Sequence, residues 1–344
     1  MAGGTGGHVF PGLALAEELR RRNFQIEWLG TVKGIESTLV PAAKIRLHTI
    51  AIAGIRGRGI KALALAPWKI LQTVVAAKRL IAKLKPCLVV GFGGYASGPG
   101  GLAAKLSGLP LLIHEQNAIA GTTNKWLAKI ANRVATAFPD VFQGAEFVGN
   151  PIRQELCDLT RSNQVTEQVN LLVLGGSRGA KAINEVLPLA AAGLDSEKVR
   201  IMHQCGKGHL SATAEAYEKH FANGRVVEFI SDMQQAFTWA DLVISRSGAS
   251  TVTELAEVGL PAIFIPFPYA IDDHQTENAK YLALAGAAHI LQQEEATPDK
   301  LAKMIGQLVT QPSVLYDMGK KAKAMAKSGA TAKLADLCEE LMHG

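Results

Sequence analysis

The chain of 344 residues predicts an α/β protein of doubly wound, Rossmann-like parallel sheets in two domains. Three times an apolar stretch passes through a glycine-rich turn into a helix-patterned stretch, which is the signature of a strand-loop-helix unit. Further short apolar runs recur at the same rhythm. The length is also about twice that of a domain of roughly 150 residues.

The first unit is Gly3-Gly4-Thr5-Gly6-Gly7-His8, followed by a helix pattern at 13–19. Only Met1 and Ala2 precede its glycines, so the strand expected to feed this loop is almost missing. The second runs from a strand at 87–90 into Gly91-Phe92-Gly93-Gly94-Tyr95-Ala96-Ser97-Gly98-Pro99, then a helix at 102–106. The third runs from a strand at 169–174 into Gly175-Gly176-Ser177-Arg178-Gly179, then a helix at 181–187. Apolar strands are also expected at 25–29, 111–114, 226–229, 242–245 and 262–266, and a last helix at 330–342. A boundary falls near Gly149-Asn150-Pro151-Ile152-Arg153, where the sign of the charge changes and a polar stretch, 158–168, follows.

Composition is that of a globular chain, 48% hydrophobic and 19% charged, which excludes wholesale disorder. Cys87, Cys157, Cys205 and Cys338 form no C-x-x-C pair, so free thiols in a reducing compartment are expected. The longest uncharged stretch, 86–104, holds six glycines and two prolines, unlike a membrane span, and no signal-peptide pattern opens the chain. The net charge of +6 is asymmetric: residues 1–150 carry +11 and residues 151–344 carry −5. Between Glu36 and Glu115 there is no acidic residue but eleven Lys/Arg. Such a one-sided field points to an anionic partner, whether nucleic acid, lipid surface or phosphorylated substrate.

Glycine loops between strand and helix bring backbone N–H groups and the positive helix end to an anion. Gly91-x-Gly93-x-x-Ala96 fits a loose dinucleotide fingerprint, but Pro99 and Gly100-Gly101 follow where a helix should be under way, and no Walker lysine is present. A fourth loop, Ser247-Gly248-Ala249-Ser250-Thr251-Val252-Thr253-Glu254, follows the strand at 242–245. Its amides suit a diphosphate, and Glu254, expected in the first helical turn, suits ribose hydroxyls or the macrodipole. His203-x-Cys205-x3-His209 lacks a fourth metal ligand, and Asp272-Asp273 lacks a D-x-D pattern.

Six segments together resemble the MurG family: the 3–12 and 91–99 loops, His114-Glu115-Gln116-Asn117, the 149–153 segment, 175–180 and 247–254. The resemblance implies the GT-B glycosyltransferase fold, with Rossmann-like domains at 1–152 plus 329–344 and at 153–328 facing across a cleft. It implies transfer of N-acetylglucosamine from UDP-N-acetylglucosamine to a lipid I acceptor, giving lipid II in peptidoglycan synthesis. Donor contacts are expected at Thr5, Gly6, Gly7, Asn117, Arg153 and Ser177, at the Ile230 backbone, at Ala249, Ser250, Thr251, Val252 and Thr253, and at Glu254, Gln275 and Asn278. Inversion at C1 needs one base. His8 is the candidate, with Tyr95, His114 and Glu115 in reserve, and no metal or other cofactor is required.

The resemblance also gives the basic half a use. Residues 60–84 combine Leu63, Leu65, Trp68, Leu71, Val74 and Val75 with Lys61, Lys69, Lys78 and Arg79, a pattern suited to peripheral docking on an anionic membrane at the cytoplasmic face of the bacterial plasma membrane. Too few aromatics interleave the basic residues for nucleic acid to be the expected partner. A UDP-N-acetylglucosamine 2-epimerase-like isomerase is the alternative of the same fold.

Overall fold

The computed structural model describes residues 1–50, 66–159, 168–176, 179–221 and 223–343. The chain divides into two compact units, Met1–Arg153 with Gly329–Gly344, and Gln154–Ser328. Arg153 closes the first unit rather than opening the second.

In the first unit, β1 (Glu27–Gly30) pairs in parallel with β2 (Arg46–Thr49). A second parallel sheet has the order β3 (Val89–Gly91), β4 (Leu111–Glu115), β5 (Arg133–Thr136), β6 (Glu146–Phe147). β4 is buried along its whole length, as expected of a strand covered on both faces. The stub expected from the sequence lies beside β3: the Met1 amine donates to the Val90 carbonyl at 2.7 Å, and Phe92 N–H donates to the Met1 carbonyl at 2.9 Å. This is the hydrogen-bond pattern of a parallel bridge. A cavity of about 500 Å³ adjoins it, lined by Met1, Trp28, Leu88, Phe92 and Met342 among others.

The helix Ala330–His343 belongs to this unit. Leu334, Ala335, Leu337 and Cys338 join the core formed with Val9, Leu15 and Leu19 of the helix Gly6–Arg21. Arg22, just past that helix, donates to Asp336 at 2.6 Å, Glu339 at 3.1 Å and the Ala332 carbonyl at 3.2 Å.

The helix after the second glycine loop starts earlier than expected. It spans Ser97–Leu106 and contains Pro99, Gly100 and Gly101. Proline is tolerated in a first turn because its missing N–H would have no partner there. At Gly101 a Cβ would come within 2.7 Å of a Leu127 methyl, so the helix packs closely there.

The second unit carries a six-stranded parallel sheet in the order β12 (Ala288–Ile290), β11 (Ala262–Phe264), β10 (Leu242–Ser245), β7 (Val169–Leu174), β8 (Val199–Gln204), β9 (Gly224–Val227). The order reverses at β7, where the loops after β7 and β10 leave neighbouring strands in opposite directions, the usual ligand position in an open α/β sheet. The core under it includes Leu171, Val173, Ile183, Leu187, Leu242, Ile244 and Ile263.

Candidate active site

Each unit brings part of the expected constellation together. In the first, Thr5 stands at the N-cap of the helix Gly6–Arg21 with extended backbone, and Gly6, Gly7 and His8 form the first turn. The Thr5 hydroxyl and His8 Nδ1 are 3.3 Å apart. When Nδ1 carries the proton and donates to Thr5, Nε2 keeps its lone pair, the tautomer a base requires. The ring lies against Gly93: a Cβ there would be 3.3 Å from Nε2, and Gly93 has φ +88°. Tyr95 is exposed in the adjoining turn.

The two reserve carboxyl and imidazole groups have other occupations. His114 is fully buried, with Nε2 at 2.9 Å from the Gly149 carbonyl and Nδ1 at 2.9 Å from the Gln116 amide. Burial, only partly offset by the bond to Gly149, lowers its pKa to about 4. It stays neutral and enclosed, which corrects its place among the bases. Glu115 is likewise buried, its Oε1 accepting from the backbone and side-chain N–H groups of Asn117 at 2.9 and 3.2 Å. Its Oε2 accepts from Gly121 N–H at 3.0 Å and Asn124 Nδ2 at 2.9 Å. Glu115 therefore orients Asn117 and the following loop, with both carboxylate oxygens already accepting hydrogen bonds.

In the second unit the helix Ala249–Val258 starts directly after β10 and the loop Arg246-Ser247-Gly248. Its N-cap is Gly248, so no side chain caps the first-turn amides of Ala249, Ser250 and Thr251. The buried hydroxyl oxygens of Ser245, Ser247 and Ser250 have no hydrogen-bond partner. Unpartnered hydroxyls beside an uncapped helix N-terminus are an arrangement chemically suited to anionic oxygens.

Several expected roles shift. Glu254 lies in the second turn, not the first. Val252, expected to offer its amide, is fully buried and its N–H donates to the Gly248 carbonyl at 3.0 Å. The Thr253 hydroxyl donates back to the Ala249 and Ser250 carbonyls at 2.9 and 3.0 Å. Asn278 is fully buried and donates to the Ser247 carbonyl at 3.2 Å, so it braces the loop from behind. Gln275 accepts from Phe267 N–H at 2.9 Å. Ile230 follows β9 in the loop before Asp232, which caps the helix Met233–Trp239. Arg153 is half-buried. Ser177 lies outside the described residues, but Gly176 beside it is held by Gln204, which accepts from the Gly176 N–H at 3.0 Å and donates to its carbonyl at 2.9 Å.

Sequence reasoning missed Gln204, and it also missed Arg246, which donates to the Ile265 and Pro266 carbonyls at 2.9 Å and to Gln293 at 2.6 Å. It missed Glu36 as a site residue as well, whose bonds to the first loop are described below. No motif marks these side chains, because most of their partners are brought to them only by folding: Gly176 to Gln204, the Ile265 and Pro266 carbonyls to Arg246, and Gly4 to Glu36. Among the described residues no group of three or more His, Cys, Asp or Glu is placed to hold a metal ion.

On the face carrying the basic helix, Ala66–Leu84 turns Trp68, Leu71 and Val75 to solvent with Lys69, Lys78 and Arg79. Val74, expected on the same patch, is instead 5% exposed and packs with Leu29, Ala77 and Ala103. Lys61, Leu63 and Leu65 lie outside the described residues. No described helix is long and apolar enough to cross a membrane.

Residues 1–136 match the glycosyltransferase family 28 N-terminal domain, and residues 170–335 match the C-terminal domain. The chain is 48% identical over 349 residues to the UDP-N-acetylglucosamine--N-acetylmuramyl-(pentapeptide) pyrophosphoryl-undecaprenol N-acetylglucosamine transferase of Pseudomonas fluorescens, covering 100% of this chain and 98% of the relative. The crystal structure of Acinetobacter baumannii MurG superposes with a TM-score of 0.86 at 43% identity over 99% of this chain and 98% of that one. A putative UDP-N-acetylglucosamine 2-epimerase from Listeria monocytogenes, at 12% identity and a TM-score of 0.64 over 96% of this chain and 92% of that one, shares the fold alone. The chain belongs to glycosyltransferase family 28 and, within it, to the MurG family.

Proposed function

We propose that this chain is the hexosyltransferase that moves N-acetylglucosamine from UDP-N-acetylglucosamine to the muramoyl 4-hydroxyl of undecaprenyl-diphosphoryl-N-acetylmuramoyl-pentapeptide, converting lipid I to lipid II in peptidoglycan synthesis. The observation that carries the reading is full-length identity of 48% to a transferase named for this reaction. The epimerase alternative has only a shared fold behind it.

The residues supply a route. The acceptor oxygen attacks C1 of the α-linked donor sugar as the bond to UDP breaks, so a single displacement inverts that centre. His8 takes the hydroxyl proton, a contribution typically of ~10²–10⁴-fold. The departing diphosphate gathers negative charge, which the first-turn amides of Ala249 to Thr251 and the hydroxyls of Ser247 and Ser250 stabilise. Glu254 holds the ribose. Thr5, Gly6, Gly7, Asn117, Arg153, Ser177, Ile230 and Gln275 complete the donor surroundings in this reading, with Tyr95 at its exposed rim.

The lipid-linked acceptor gives the exposed apolar face its use as a peripheral membrane surface on the cytoplasmic side. Trp68, Leu71 and Val75 enter the interface and Lys69, Lys78 and Arg79 meet anionic headgroups, at about 1 kcal/mol for each cation near the surface. Leu106 and Trp126 are also more than half exposed, with Lys129 over the Trp126 ring.

The test is incubation with UDP-N-acetylglucosamine and a lipid I analogue, which is expected to yield UDP and disaccharide lipid in equal amounts. UDP release at the same rate without acceptor, or no transfer, overturns the assignment.

A further inference from the structure

The two acidic residues that bound the long acid-free stretch are both buried beneath loops. Glu115 is explained above. Glu36 opens the helix Glu36–Ala42 and has no exposed surface. Its Oε2 accepts from Gly4 N–H at 3.0 Å, and its Oε1 accepts from the backbone and hydroxyl of Thr31 at 2.9 and 2.6 Å. Burial alone would raise its pKa, but the Thr31 hydroxyl and the amides outweigh burial and hold it below the ordinary value, so it is an anion in the folded chain. Backbone encloses it closely: a Cβ at Gly3 would lie 2.5 Å from Oε1, one at Gly30 2.8 Å from Cγ, and one at Gly34 would collide with the carboxylate.

Gly4 has φ +96°, a conformation open to glycine, and it precedes the N-cap Thr5 and the turn carrying His8. Gly3 in turn seats its carbonyl where a Cβ of Gly94 would be, which ties the first loop to the second, against whose Gly93 the His8 ring rests. The Gly4 amide is thus fixed by one anion from below, and the direction of His8 depends on it.

We propose that Glu36 is a positioning residue for transfer: its carboxylate sets the first glycine loop, and through Gly4 and Thr5 the placement of His8. A Gln at this site keeps the shape but turns an N–H toward either Gly4 N–H or the Thr31 donors, so one contact becomes donor against donor. The kinetic arm of the proposal rests on the transferase reading. The structural arm does not.

The experiment compares the full-length parent with Glu36→Gln and, as a gentler second variant that loses one bond only, Thr31→Val. Three readouts are needed: steady-state transfer, donor KM, and amide hydrogen exchange. For E36Q the expectation is a kcat lowered at least tenfold, a rise in donor KM smaller than the fall in kcat, and exchange at least tenfold faster in residues 3–10 with no change in 249–258. T31V is expected to lie between, at about threefold in kcat. A folded E36Q with kcat within twofold of the parent overturns the proposal. So does faster exchange spread evenly through the first unit, which marks a general structural role. If E36Q does not fold, T31V decides: parental kcat and parental exchange at 3–10 overturn it. If the parent itself transfers no sugar, the transferase reading fails while exchange still judges Glu36.

Discussion

His203 provides a test of how a buried imidazole sets acid stability in the second unit. It has no exposed surface, with Nδ1 3.1 Å from the Tyr217 hydroxyl and Nε2 3.0 Å from Asn184 Oδ1. Asn184 also donates to the Cys205 carbonyl at 2.9 Å, which fixes the amide and makes its Oδ1 the acceptor. The neutral ring with the proton on Nε2 satisfies both partners, whereas a second proton on Nδ1 would put a charge in a fully buried site. Burial accordingly lowers the pKa to about 3 from 6.5. Because the folded value lies below the unfolded one, the contribution is fully present above pH 6.5 and is lost as pH falls towards 3. At pH 5 the unfolded side chain is almost wholly protonated and the folded one neutral, a difference of about 2 kcal/mol. Urea unfolding at pH 7.5 and pH 5, followed by Trp239 fluorescence within this unit, reads it. His203→Gln keeps an N–H for Asn184 and lowers stability at both pH values, but the parent should lose about 2 kcal/mol more than the variant between them. Equal losses in parent and variant would falsify the linkage.

Three further outcomes are expected. His8→Ala should lower kcat by ~10²-fold or more with donor affinity little changed, measured by UDP release with saturating acceptor; near-parental turnover removes His8 as the base. Glu254→Ala should raise donor KM by roughly tenfold, the equivalent of about 1.4 kcal/mol, with a smaller effect on kcat, and an unchanged KM refutes the ribose contact. Trp68→Glu should weaken sedimentation with anionic vesicles severalfold and leave transfer to a soluble acceptor analogue intact; binding indifferent to both the substitution and the anionic lipid content argues against the patch.

Much of the chain was legible because parallel strands buried on both faces read as continuous apolar runs. β7 and β10 coincide with the expected strands, and β4 extends the expected strand by one residue. β8 was not expected, because Arg200, His203 and Gln204 interrupt its apolar pattern. Those polar groups are tolerated by tertiary partners: Tyr217 and Asn184 for His203, Gly176 and Glu228 for Gln204. The short β2 and β5 hide for the related reason that Arg46, His48 and Arg133 are polar and partly exposed. In the candidate site the loops were visible and the supports behind them were not.

The sequence alone determined the α/β class, the glycine loops and the charge asymmetry, since periodicity, glycine and net charge are local or additive properties. It also carried the family motifs, which are contiguous. Tertiary structure decided what each polar side chain does. Glu36, Glu115 and Asn278 are buried beneath the loops they hold, Val74 turns inward, and His114 is neutral within the core. Burial and hydrogen-bond partnership depend on residues far away in the chain, so a carboxylate that binds a sugar and one that braces a loop look the same until the chain is folded.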